Sequence, residues 1–165
     1  MAATKRTSSR AVGLLQQPTR AALLQIKAAR VEPRHDPPMS PPLAEVPQLI
    51  AVIEDDRAVL DALEFALGTQ GYAVCAFEGG RQALSSGSID EADCLVIDYA
   101  MPEIDGIALL QALRQRGLTC PAIIIASTPT PRCRKGAAAL HAQLLEKPLM
   151  QDVLGERIRE ILAQR

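Results

Sequence analysis

Charge appears in this chain where short apolar runs stop. Glu54, Asp55 and Asp56 follow one such run, Asp98 follows a second, and Glu146 with Lys147 follows a third. Each place has an ordinary explanation. Acids just after a strand cap the next helix, where they meet the positive end of its dipole. An Asp ahead of Met101-Pro102 can form a turn, and a Lys before a Pro is usually a solvated loop residue. Gathered at one point, the same residues have another chemistry. Two carboxylates about 4 Å apart repel by about 4 kcal/mol at an effective dielectric of 20, so they must share a proton or recruit a cation. A cluster of hard oxygens with room for water suits Mg²⁺. A lysine ammonium beside it supplies a mobile charge for a phosphate oxygen. A carboxylate nucleophile, a divalent metal and a lysine are what phosphoryl transfer to an aspartate requires, since its catalysis is mostly positioning and charge neutralisation.

The elements that must position these residues alternate five times from Leu49 onward. Leu49–Ile53 is a continuous apolar run, the mark of a strand buried on both faces. Arg57–Gln70 follows with helical spacing of Val59, Leu60, Leu63, Ala66 and Leu67, and Gly71 stops it. Tyr72–Phe77 is a second strand, Gly79–Ser85 a short helix and Cys94–Ile97 a third strand. The Met101–Gly106 loop leads to a helix with Ile107, Leu110 and Leu113, closed by Gly117. Pro121–Ile125, Pro131–Leu140, Gln143–Leu145 and Met150–Arg165 complete the series as strand, helix, strand and helix. Five such units imply an α/β fold, a parallel sheet with helices on both faces. Such sheets bind ligands outside the carboxyl ends of their strands, where the strand order switches. The three charged places lie at those ends.

Residues 1–48 differ in kind. They hold seven Lys/Arg against three Asp/Glu, a net +4, whereas residues 49–165 hold eleven against sixteen, a net −5. Arg20–Arg30 could form a short helix behind Thr19, with Leu23, Leu24 and Ile26 apolar and Arg20, Lys27 and Arg30 basic. Isolated helices this short are marginal in water, so residues 1–48 are expected to be a disordered arm, basic and then Pro-rich, ahead of a folded domain over 49–165. An acidic domain is a poor partner for nucleic-acid phosphates, and no apolar run reaches the ~18–20 residues of a membrane span. Cys75, Cys94, Cys120 and Cys133 show no C-x-x-C spacing and lie in or beside apolar runs, as reduced core thiols of a cytoplasmic protein would.

From Leu49 to Arg165 the chain resembles the receiver domain of two-component response regulators. The segments that carry the likeness are AVIEDD (Ala51–Asp56), LVIDYAMPEIDG (Leu95–Gly106), PAIIIAS (Pro121–Ser127) and LLEKP (Leu144–Pro148), in that order and spacing. The resemblance implies a doubly wound, flavodoxin-like sheet of order 2-1-3-4-5. It makes Asp98 the phosphoacceptor and Lys147 the contact to the phosphoryl group. It makes Glu54, Asp55, Asp98 and the Ala100 carbonyl the Mg²⁺ site, with Asp55 a direct ligand and Glu54 acting through water. It also implies a cis bond between Lys147 and Pro148, and leaves Asp56 to cap the first helix. The expected function is a phosphoacceptor module in a phosphorelay, not an enzyme. The donor is a histidine kinase or phosphotransfer protein, because neither His35 nor His141 has kinase-like surroundings. With the last helix ending the chain, a free-standing domain that signals through an unidentified protein partner is expected.

Three positions depart from the family pattern. Thr or Ser is usual at the end of strand four, but Ala126 stands there and Ser127 follows one residue late. The aromatic usual three residues before the lysine is Leu144, and the glycine usual after the fourth helix is Leu140. These departures keep a second reading open, a phosphorylation-independent adaptor that retains the fold. A hydrolase working through an aspartyl-phosphate is disfavoured, since such enzymes usually carry a second acid where Ala100 stands.

Overall fold

The computed structural model describes residues 46–149 and 152–164. The expected arm lies almost wholly outside the described residues, as does the short helix expected over Arg20–Arg30. Five parallel strands form one sheet in the order β2-β1-β3-β4-β5. They are β1 (Leu49–Ile53), β2 (Ala73–Phe77), β3 (Cys94–Asp98), β4 (Ala122–Ala126) and β5 (Gln143–Glu146). Five helices alternate with them: α1 (Arg57–Thr69), α2 (Gly80–Ser85), α3 (Gly106–Gln115), α4 (Pro131–Ala139) and α5 (Val153–Leu162).

Burial follows strand position. Every residue of β1, β3 and β4 is buried, whereas β2 alternates and the edge strand β5 is only half-buried. Successive strand side chains point to opposite faces, so the sheet separates two cores. Ala51, Ile53, Leu95, Ile97 and Ile124 pack with Ala83 of α2, Leu109, Leu110 and Leu113 of α3, and Cys133 and Ala137 of α4. Ile50, Val52, Val96, Ile123 and Ile125 pack with Leu60 and Leu67 of α1 and Leu154, Ile158 and Ile161 of α5. The helices therefore cover both faces. All four cysteines are buried within these cores, and none forms a disulfide among the described residues.

Element ends moved by a residue or a little more. β2 starts at Ala73 rather than Tyr72, β3 runs on to Asp98, and β4 is shifted to Ala122–Ala126. α5 starts at Val153, while Met150, Gln151 and Arg165 lie outside the described residues. A 3₁₀ turn at Ser88–Glu91, which periodicity did not indicate, leads into β3. Gly71 (φ +94) and Gly117 (φ +101) take the left-handed turns that stop α1 and α3. After α4 the left-handed residue is His141 (φ +53) and not Leu140, whose φ is −100. Leu140 thus needs no glycine backbone.

Candidate functional site

The strand order decides which charges meet. From β1 the chain crosses to β2 on one side and then to β3 on the other, which opens a crevice beyond the ends of β1 and β3. The register pairs Val52 with Val96 and Ile53 with Ile97. One step further, Glu54 stands beside Asp98 on the same face of the sheet. Both are buried, at 3% and 5% exposure. Asp55, the next residue, lies beyond the strand and is exposed, yet it brings a carboxylate oxygen to the same crevice. Asp56 accepts hydrogen bonds from the amides of Ala58 (2.9 Å) and Val59 (3.3 Å) and so caps α1, the role expected of it.

Two buried carboxylates side by side need a cation, and Lys147 supplies it. Its Nζ lies 2.6 Å from Asp98 Oδ1 and 2.8 Å from Glu54 Oε2. β5 delivers the lysine across one intervening strand, and the Lys147 amide donates to the Ala126 carbonyl at 2.9 Å. The Lys147–Pro148 bond is cis, in line with the resemblance. Burial pushes the Glu54 carboxyl above its ordinary range and the neighbouring Asp98 adds to this, while Lys147 pulls it back. For Lys147 burial favours the neutral amine, but hydrogen bonds and attraction from both carboxylates outweigh it and hold its pKa above the usual lysine value.

The second Asp98 oxygen, Oδ2, accepts from the Ala100 amide at 2.6 Å. Ala100 thus meets the acceptor through its N–H. Gly106, the first residue of α3, is pressed so closely on Asp98 that a Cβ there would collide with the Asp98 carbonyl. Its amide bonds to the Tyr99 carbonyl at 3.0 Å, and Asp105 caps α3 by accepting from the Ala108 amide at 2.8 Å. The Asp105-Gly106 pair therefore holds the loop that leaves β3 after Asp98. Its signal was legible in the sequence, a capping Asp followed by a Gly before an apolar helix, but the close approach needs the backbone.

One oxygen each from Glu54, Asp55 and Asp98 lie within 4.8 Å of one another. Hard oxygen donors with room for water are the ligand set that Mg²⁺ prefers. The acids fit a hard divalent cation.

Beyond β4 the site is plainer. Ala126 is buried at 1% exposure and ends the strand with a methyl group, while Ser127 lies outside it and is exposed. Leu144, half-buried, packs against the same core as Ala126.

A doubly wound parallel sheet with an aspartate, an acidic pair and a lysine gathered at its switch point is the arrangement of a receiver-type signalling domain. Within that class, the sequence profile of the response regulator receiver domain matches residues 50–159, and the chain belongs to this family. It is a receiver domain of two-component signalling. Response regulator MprA of Mycolicibacterium vanbaalenii is 33% identical over 118 residues, covering 71% of this chain and 51% of the relative. The chain spans about half the length of the curated relatives it matches. Among solved structures, a putative response regulator from Chloroflexus aurantiacus is 29% identical with a TM-score of 0.64, covering 71% of this chain and 98% of that one. The response regulator TrrA of Thermotoga maritima, in complex with Mg²⁺-BeF, is 23% identical with a TM-score of 0.62, covering 69% and 98%. Receiver domains are signalling domains that bind Mg²⁺ at an acidic pocket and work with histidine kinases or phosphotransfer proteins. Among the described residues no helix is long and apolar enough to cross a membrane.

Proposed function

We propose that Asp98 is the phosphoacceptor of a phosphorelay and that Glu54, Asp55, Asp98 and the Ala100 carbonyl hold Mg²⁺ beside it. The observation that carries this reading is the bridge from one lysine ammonium to both buried carboxylates, at 2.6 and 2.8 Å. In the transfer, an Asp98 carboxylate oxygen attacks the phosphorus of a partner's phosphohistidine. The new O–P bond forms as the P–N bond breaks, and the electron pair leaves with the imidazole. Glu54, Asp55, Asp98 and the Ala100 carbonyl would hold Mg²⁺ there, and its charge would offset that of the phosphoryl oxygens. Lys147 exchanges one carboxylate for a phosphoryl oxygen, and so keeps its charge in the crevice while the product forms. The Ala100 amide holds one Asp98 oxygen, which orients the carboxylate for attack. The chain is an acceptor without turnover of its own, fed by a histidine kinase or phosphotransfer protein and read by a protein partner. Four reduced, buried thiols suit the cytoplasm.

Incubation with a small acyl phosphate and Mg²⁺ tests the reading. Label stable in acid, labile in base and absent from Asp98→Asn is the expected result. Equal labelling of that variant sinks the assignment. A second reading, docking independent of phosphorylation, draws support from Ala126 and Leu144, which offer neither a hydroxyl at the end of β4 nor a ring on β5.

A further inference from the structure

Away from the acid site, the most exposed large apolar side chain among the described residues is Phe65, at 75% exposure on the outer side of α1. Leu60 and Leu67 already anchor α1 to the sheet, so Phe65 is not needed for packing. Around it lie the exposed Ala58, Ala62 and Ala66, with Asp61 four residues before it and Glu64 next to it, both exposed. Asp61 pairs with Arg57 at 2.9 Å, while Glu64 has no ion pair among the described residues. This is an apolar centre left in water, with Asp61 and Glu64 on its rim and Arg57, paired with both Asp61 and Glu78, at its N-terminal end.

We propose that this face is a docking surface for the chain's own basic stretch Arg20–Arg30. Leu23, Leu24 and Ile26 would cover Phe65 and the alanines, while Arg20, Lys27 and Arg30 meet the acidic rim. Charge supports the match, since residues 1–48 carry a net +4 and residues 49–165 a net −5. Length permits it. The fifteen residues Val31–Glu45, four of them Pro between Pro37 and Pro42, can span roughly 45 Å at the ~3.1 Å per residue of an extended Pro-rich chain. The 13-residue α1 is only about 20 Å long. Tethering makes the contact intramolecular, so weak complementarity suffices. A rim of exposed charge also makes the contact salt-sensitive.

Because all four native cysteines are buried, Ala22→Cys in the whole chain takes a nitroxide label selectively. Paramagnetic broadening of backbone amides then reports where the stretch sits. The Ala62–Gly68 amides are expected to lose more than half their intensity at low salt and recover at high salt. Asp61→Lys with Glu64→Lys should abolish the broadening. Adding Arg20→Glu, Lys27→Glu and Arg30→Glu to that pair should restore it. No broadening of α1, or broadening spread evenly over the surface, overturns the proposal. So does broadening that crosses from a spin-labelled chain to an isotope-labelled chain in a mixture, because the occupant would then be a second copy. None of the substituted residues belongs to the acid site, so either outcome leaves the Asp98 assignment to its own test.

Discussion

The β1–β3 side of the crevice and the β4–β5 side are built to different standards. On the first, the buried charges are paired: Glu54 and Asp98 share Lys147, which arrives from the end of β5, Asp98 also holds the Ala100 amide, and Asp56 caps α1. On the second, β4 ends in a buried methyl group, β5 offers a half-buried Leu144, and the next residue with a hydroxyl along the chain, Ser127, is exposed beyond the strand. The contrast separates two tasks. Accepting a phosphoryl group needs a nucleophile, a cation site and a lysine within reach. Reporting it needs an element with two arrangements whose balance the phosphoryl group can tip. This chain keeps the parts for the first task and simplifies those for the second.

The largest effect should come from the acceptor side. Asp55→Ala removes a proposed metal ligand, and labelling by an acyl phosphate should slow by roughly 100-fold or more. Mg²⁺ affinity, followed by titration, should fall with it. Unchanged affinity would remove Asp55 from the site and break the contrast at its stronger end.

Lys147→Met should follow, by stranding two buried carboxylates. Loss of one partner of a buried ion pair costs about 3 kcal/mol, read by urea unfolding at neutral pH in chelator. The pH dependence has a definite sign. Because the folded pKa of Lys147 is raised, its stabilisation is complete below the ordinary lysine value of about 10.4 and is lost as pH climbs through the folded value. The Met variant should lack that alkaline limb. Glu54, also raised, costs stability as it ionises above about pH 4.3, so the gap between the two proteins should narrow in acid. A gap independent of pH would mean that Lys147 acts by packing alone.

A smaller effect sharpens the other side. A hydrogen bond to a charged group contributes roughly 1.5–3 kcal/mol, and turning a 1:99 equilibrium into 99:1 needs about 5.5 kcal/mol. With no hydroxyl on Ala126, beryllofluoride should change hydrogen exchange across Pro131–Leu145 only slightly, and Ala126→Thr should enlarge the change. Large changes already present in the native chain would contradict the simplified switch. The smallest expectation is Ser127→Ala, which should alter neither that exchange nor, beyond about 0.5 kcal/mol, stability. Native changes that vanish in this variant would show that Ser127 has taken the hydroxyl's place.

Much of this was legible in the residues. Continuous apolar runs marked β1, β3 and β4 because central strands are buried on both faces, and 3.6-residue spacing marked α1, α3 and α5 because each turns one side to the sheet. The order and spacing of the segments around Glu54, Asp98 and Lys147 carried the resemblance to the receiver family, although each charged place taken alone has an ordinary use as cap, turn or loop. Local sequence could not assign environments. Glu54 and Asp55 are adjacent acids, yet register puts the first beside Asp98 in the interior and leaves the second in solvent. The pairing of Lys147 with both carboxylates joins residues up to 93 positions apart and exists only because β5 lies one strand away from β3. The left-handed turn falls at His141 rather than Leu140, where the His141 and Ala142 amides close the end of α4, and the closeness of Gly106 to the Asp98 carbonyl comes from how α3 seats on the sheet. Periodicity and residue type act within a few positions of the chain and were decided there. Distances between strand ends are set by register and by the packing of separate elements, which only the folded chain brings together.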